Sequence, residues 1–257
     1  MYLIKKMQVF AVGALFALSG AVASAAPLTV AVAADLQFAM ADMVSAFEKN
    51  NPGSHVEIIS GSSGKFYQQI ANGAPFDLYF SADIEYPRKL KESGLAISEV
   101  KSYAIGRLVL WSATHPVSGG LAVLTDDKFI KVAIANPEHA PYGKCAKASL
   151  TYYGLLDKVA PKLVFGENVS QAAQFAQSGA ADAAIIPFSL VLAPTMKDKG
   201  SYVLIDERSH PPLEQGYVVL KRAADNPDAA RFADFVAGKD GRAIFKKYGF
   251  RLPDEKP

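Results

Sequence analysis

Short β-rich runs alternate with amphipathic helical stretches along most of this chain. That alternation restricts the fold to largely parallel sheets covered by helices. PLTVAVAA (27–34) is apolar and β-branched throughout, as expected of a strand buried on both faces. LQFAMADMVSAFEKNN follows, with Leu36, Met40, Met43, Val44 and Phe47 at helical spacing. HVEIIS (55–60) and FDLYFSA (76–82) predict two further strands. Between them KFYQQIANG reads as a short helix ending at Gly73, and after them YPRKLKESGLA reads as a helix stopping at Gly94. A second set runs from RLVLWSA (107–113) through VAIAN (132–136), a helix near Ala146–Tyr153, LVFGE (163–167), a helix near 170–178, and ADAAIIP (181–187). The chain then returns through YVLI and GYVVLK to one last helix, PDAARFADFVAGKDGRAIFKKYG. Two α/β sets with a late return predict two lobes joined by two crossings, near Arg107 and near Gly216. Lobe 1 is then 26–106 with 217–257, and lobe 2 is 107–216.

The N-terminus stands apart from this pattern. Lys5 and Lys6 precede an apolar run from Met7 to Leu18, and AVASAAP offers small residues for cleavage after Ala25. This is the pattern of a secretory signal peptide (1–25), with an apolar run too short for a spanning helix. Without Lys5 and Lys6, the 27 Lys and Arg fall to 25 and balance the 25 Asp and Glu. A neutral mature chain gives no reason to expect nucleic acid or anionic lipid as a partner. The one cysteine, Cys145, permits no internal disulfide. Beside His139 it suggests a nucleophile pair, but a small buried core thiol is the plainer reading. No cysteine follows the signal peptide, so no lipid anchor is expected there.

SGSSGKFYQQI (60–70) sets three serines, two glycines and a lysine ahead of a helix. It is not a nucleotide phosphate loop: Phe66 follows Gly64-Lys65 where a hydroxyl is required, and Ile59 stands in the place of the first glycine. Ser62 to Lys65 spells S-x-x-K, yet the companion S-x-N and K-T-G elements of that catalytic set are absent, as is a G-x-S-x-G elbow. His55, His115, His139 and His210 lack metal-ligand spacing. What remains is a helix N-terminus whose free amides and hydroxyls suit an anion, with plain helix capping as the alternative. Similar points recur after other strands, at Asp35, at PEHAPYGK and at ENVSQ. In an open α/β sheet ligands bind beyond the carboxyl ends of the strands.

LTVAVAADLQFAMADMVSAFE, GSSGKFYQQIANGAPFDLYFSAD, NPEHAPYGKCAKASL and FKKYGF together resemble the periplasmic molybdate-binding proteins of bacterial molybdate ABC importers. The similarity runs over nearly the whole mature chain, and GAPFDLYFSAD and PEHAPYG are its more specific pieces. It implies a two-lobed periplasmic binding protein fold, each lobe a mostly parallel sheet flanked by helices, with the ligand in the interlobe cleft. It also implies periplasmic location, no catalysis and no cofactor. The ligand is then molybdate or tungstate, the partner an inner-membrane ABC permease, and the protein a monomer. Ser63 matches the family's hydroxyl ligand. Tyr142 and Val169 match its two backbone N–H donors. The oxyanion contacts expected by resemblance are therefore Asp35, Ser63, Tyr142, Val169 and the position of Pro187.

Two of these depart from the family pattern. Asp35 stands where members present Ser or Asn, and Pro187 where some offer a tyrosine hydroxyl; proline brings no donor. Two like unit charges about 4 Å apart repel by about 1 kcal/mol in water and several times more when desolvated, and a dianion doubles the repulsion. Three readings of Asp35 stay open: an N-cap serving amides near Phe38, an acceptor for a proton on the anion, or an oxygen bound directly to the anion's central atom. Lys65 either neutralises Asp35 or the anion, or is simply solvated. The alternatives to molybdate are another oxyanion of phosphate, sulfate or chromate type, or a secreted serine hydrolase built on Ser62 and Lys65.

Overall fold

A computed structural model describes residues 27–255, so the signal-peptide reading of 1–25 lies outside the described residues. The strands are β1 (Leu28–Ala33), β2 (Val56–Gly61), β3 (Leu78–Ser81), β4 (Lys101–Ile105), β5 (Leu108–Ser112), β6 (Val132–Ala135), β7 (Leu163–Gly166), β8 (Ala183–Pro187), β9 (Ser201–Leu204) and β10 (Glu214–Val219). They form two five-stranded sheets, in the orders β2-β1-β3-β10-β4 and β7-β6-β8-β5-β9. In the first sheet β10 alone runs against the other four; in the second, β5 does. Both sheets are therefore mostly parallel, as expected, and each reversed strand adjoins a crossing between the sheets.

The first sheet is covered on one side by α1 (Gln37–Asn50), whose Met40, Met43 and Phe47 are buried at helical spacing. On the other side lie α2 (Ser63–Ala71) and α3 (Glu85–Glu92), which bury Phe66, Ile70 and Leu90. Gly73 and Gly94 follow these two helices with φ of 89° and 70°, the left-handed exit that glycine adopts without strain. The second sheet packs against α4 (Pro141–Tyr152), α5 (Leu156–Val159), α6 (Val169–Gln177) and α7 (Phe188–Val191). Cys145 is buried there, on α4 within the core, as the plainer reading has it.

Three details depart from the sequence expectation. The final helix is two, α8 (Pro227–Ala237) and α9 (Lys239–Lys247), broken at Gly238, whose extended backbone starts the second. Phe232 on α8 and Phe245 on α9 both reach the first core. Strand β4, KSYAI, has no counterpart among the expected strands: it is a short edge strand with Lys101 exposed. Finally, β10 begins at Glu214, so the returning chain is already in the first sheet ahead of Gly216. The outgoing crossing is the short turn from Ile105 through Gly106 to Arg107. Its Gly106 N–H bonds to the carbonyl of Leu213, which ties the two crossings together (2.9 Å).

Candidate functional site

The carboxyl ends of β1, β2 and β6 meet helix N-termini across the gap between the sheets. A parallel strand followed at once by a helix leaves first-turn amides without intrahelical partners and aims them there. In α4, Pro141 has no N–H, no side chain caps the end, and the amide of Tyr142 is free of the helix ladder. In α6, Asn168 caps Gln171 and leaves the amide of Val169. Ser63 opens α2. Its Oγ accepts from the Ala82 N–H (3.0 Å) and its carbonyl from the Tyr79 hydroxyl (2.7 Å). The hydroxyl proton of Ser63 thus has no protein acceptor.

These groups enclose a small cavity lined by Ala33–Asp35, Gly61–Ser63, Ala82, Ala140–Tyr142, Asn168 and Val169. Its volume, counted as the space open to the centre of a water, is about 10 Å³. As it stands the cavity is closed down to about the room of one water, far too small for an extended solute such as a nucleotide or a peptide. No lysine, arginine or histidine lines it. Asp35, Ser63, Tyr142 and Val169 are brought together on this one cavity. Pro187 lies outside the lining. It pairs with Leu108 at the end of β8 and precedes α7, and Ser189 two residues on gives its hydroxyl to the Asp35 carbonyl (2.7 Å).

Asp35 does not cap a helix. It sits inside a 3₁₀ turn (Ala34–Leu36) that begins after Ala33, and α1 begins after Leu36; neither start has a side-chain cap. The carboxylate reaches across the gap instead. Oδ2 accepts from Tyr142 Oη (3.0 Å) and from Gln215 Nε2 (2.6 Å), and the second Gln215 proton goes to Tyr142 Oη (3.0 Å). Gln215 is itself held by Tyr103, which donates to Oε1 (2.7 Å). Asp35 is 2% exposed, and among the described residues no donor meets its Oδ1 in hydrogen-bond geometry, although the Asp35 and Leu36 amides lie close enough to favour the carboxylate. Burial pushes its carboxyl up to about 7, with the Gln215 and Tyr142 donors and, more weakly, the backbone amides of Asp35 and Leu36 pulling the other way. Burial, reinforced by the negative charge of Asp35, drives the Tyr142 phenol well above its ordinary range.

A second seam joins the sheets on the far side of the cavity. Ser62 Oγ donates to the His139 carbonyl (2.6 Å), which leaves its oxygen to accept from His139 Nδ1–H (2.9 Å) and fixes that tautomer. The His139 carbonyl also takes the Gly64 N–H (2.9 Å). Burial, followed by the Lys65 charge, holds His139 below its usual value. Lys65 itself pairs with Glu167 of the other sheet (2.7 Å), and so neutralises neither Asp35 nor the cavity. This engagement of Ser62 and Lys65 also removes the basis for a serine nucleophile.

Sequence reasoning missed several participants. The Tyr142 hydroxyl, Gln215, Tyr103 and Ser189 act at long range and carry no local motif, and His139, noticed beside Cys145, bonds Ser62 instead. Gln215 alone left a trace, as a polar residue in an apolar strand, where burial requires a partner.

Two lobes closing over a compact cavity of neutral donors define a binding protein for one small solute. The chain belongs to the bacterial extracellular solute-binding proteins, whose family pattern it matches over residues 28–251. It is 38% identical to the molybdate-binding protein ModA of Azotobacter vinelandii over 232 residues, which cover 90% of this chain and 92% of that protein. It is 36% identical to the molybdate-binding protein ModA of Rhodobacter capsulatus, over 89% of both chains. The solved structure of the Azotobacter vinelandii periplasmic molybdate-binding protein matches with a TM-score of 0.82 at 36% identity. That match covers 88% of this chain and 100% of that one.

Proposed function

We propose that this chain is the periplasmic binding component of an ABC importer that captures one molybdate, or its congener tungstate, and delivers it to an inner-membrane permease. It acts as a monomer, exported by residues 1–25. The lobes follow the two sheets, 26–106 with 214–257 and 107–213, so the return crossing falls just before Glu214 rather than near Gly216, and they hinge at the two crossings tied by Gly106 and Leu213. The observation that carries this reading is the set of unspent neutral donors on one small cavity: the Ser63 hydroxyl from one lobe, the Tyr142 and Val169 amides from the other. Fixed dipoles of this kind hold an oxyanion without a counter-charge and discriminate by size. Asp35 closes one side of the site, and Pro187 backs it without a donor. That the similar proteins from Azotobacter vinelandii and Rhodobacter capsulatus are molybdate-binding proteins supports the choice among oxyanions.

Asp35 favours a second reading, a cargo of phosphate type, because an anion that carries a proton relieves the repulsion. Thermal unfolding of the purified, dialysed protein separates the two. At 100 times its dissociation constant a ligand stabilises by about 2.7 kcal/mol. A shift with molybdate and tungstate, and none with sulfate, phosphate or chromate, is expected. A shift with phosphate alone replaces the cargo, and no shift with any anion ends the oxyanion reading.

A further inference from the structure

The Asp35 side chain poses a problem that the donor set does not solve. It is the one carboxylate lining the cavity, and no cation lines that cavity with it. Its Oδ2 is fully engaged by Tyr142 and Gln215, while Oδ1 is buried without a hydrogen-bond partner among the described residues. An ionised oxygen left so costs a large part of its hydration, and a dianion placed beside it raises that cost. A hydrogen on Oδ1 removes both penalties and turns an acceptor into a donor on a residue that lines the cavity.

On the reading of the site as an oxyanion site, we propose that the anion binds together with one proton, held between Asp35 Oδ1 and an anion oxygen. The step balances simply. An ionised Asp35 and an ionised anion take one proton from solvent, no covalent bond to the anion's central atom forms or breaks, and Asp35 donates as the neutral acid. The ligand class this selects is an oxyanion with an unprotonated oxygen that accepts a strong hydrogen bond.

The surroundings leave Asp35 as the group to take that proton. From α4, Tyr142 faces it, and behind Tyr142 stands Cys145, whose thiol bonds the Pro211 carbonyl; burial pushes both upward, the thiol to about 12. From β4 Tyr103 and from β3 Tyr79 are likewise raised by burial, and Asp83 follows β3. From β10, α6 and α7 come the neutral Gln215, Ser170 and Ser189. Beyond Ser62 stand His139 and the Lys65–Glu167 pair. Burial brings Asp35 itself to about 7, within reach of neutral solution. His139, held low, is the one competitor.

Titration calorimetry with sodium molybdate, in two buffers of unlike ionisation enthalpy, counts the protons. At about pH 8 the wild-type protein takes up about one proton per anion, and at about pH 6 the uptake shrinks because Asp35 already carries it. Above neutrality its affinity falls about tenfold per pH unit. Asp35→Asn keeps binding, since the amide N–H replaces the acid, but with no proton uptake and a flat pH profile. His139→Gln keeps the wild-type count. Wild-type binding without uptake at the higher pH overturns the proposal. If Asp35→Asn then also loses the anion, the carboxylate bonds the central atom directly. Uptake that survives in Asp35→Asn and vanishes in His139→Gln overturns it in favour of the histidine. Absence of molybdate binding by the wild type at both pH values removes the oxyanion reading itself. Should Asp35→Asn not fold, the wild-type count and slope decide alone.

Discussion

Two seams hold the lobes together across the cavity, and they are built on opposite principles. The Ser62–His139 seam uses a hydroxyl, a carbonyl and a ring nitrogen, all neutral and all satisfied, with the Lys65–Glu167 pair at its wet edge. The Asp35–Tyr142–Gln215 seam buries a carboxylate with one oxygen satisfied and the other not. The first closes the cleft at little electrostatic cost. The second makes closure depend on what occupies the cavity and on whether a proton is present. A site built only on the first principle binds any anion of the right size. Adding the second makes the protein's own ionisation part of recognition.

The largest way to break this contrast is to neutralise the carboxylate. An aspartate raised from its ordinary 3.8 to about 7 by burial loses stability as it ionises. The stability tied to its protonated form is complete below about pH 4 and lost once pH passes about 7, with a loss of about 4 kcal/mol at most. Asp35→Asn removes that dependence. Chemical denaturation of the anion-free protein is expected to show the variant equal to wild type near pH 4 and more stable by about 1–4 kcal/mol near pH 8. Equal curves at both pH values mean that Asp35 leaves its buried place when the cleft is unliganded, and that the second seam forms only on binding.

Next in size is the hinge. A Cβ on Gly106 lies 2.8 Å from Gln215 Nε2 and closer still to Tyr142 Oη, so only glycine lets that hydroxyl reach Asp35. Tyr142 belongs to the other lobe, and an open cleft relieves the clash. The Gln215 contact stays in the open form but meets only the end of a side chain that can shift, so Gly106→Ala penalises closure more than folding, by about 1–3 kcal/mol as for overpacking elsewhere. Molybdate affinity is expected to fall about tenfold to a hundredfold with the anion-free melting temperature nearly unchanged. A melting temperature that falls while affinity holds shifts the role of Gly106 from closure to folding.

Much of the scaffold is legible in the sequence because its causes are local. The apolar run of β1, the helical spacing of Met40, Met43 and Phe47, and Gly73 and Gly94 as stops each act within a few residues. The helix starts that hold Ser63, Tyr142 and Val169 are legible for the same reason, each following a strand, whereas the choice of those three residues rests on the family resemblance. Asp35 is not, because its fate is decided by Tyr142 and Gln215, 107 and 180 residues away. The N-cap reading fails on a local detail, the 3₁₀ turn that carries the residue past the capping position. β4 escapes notice because a short edge strand with an exposed end has neither a buried run nor a clean alternation. Gly238 breaks the last helix where the apolar periodicity alone runs on.

The smallest expected effect tests the other side of the comparison, the claim that the first seam is neutral where it matters. Lys65 and Glu167 meet at 2.7 Å, but their side chains remain 39% and 53% exposed, and neither lines the cavity. Water and salt screen such a pair, whose worth is about 0.2–1 kcal/mol. Lys65→Gln is therefore expected to weaken molybdate binding by no more than about fivefold in dilute buffer. In about 1 M salt the difference should vanish, because screening then acts within about 3 Å. A hundredfold loss that persists in salt has a different cause: a lysine that reaches the anion once the cleft is filled. Both seams then carry charge into the site, and the proton on Asp35 has a rival for the task of balancing it.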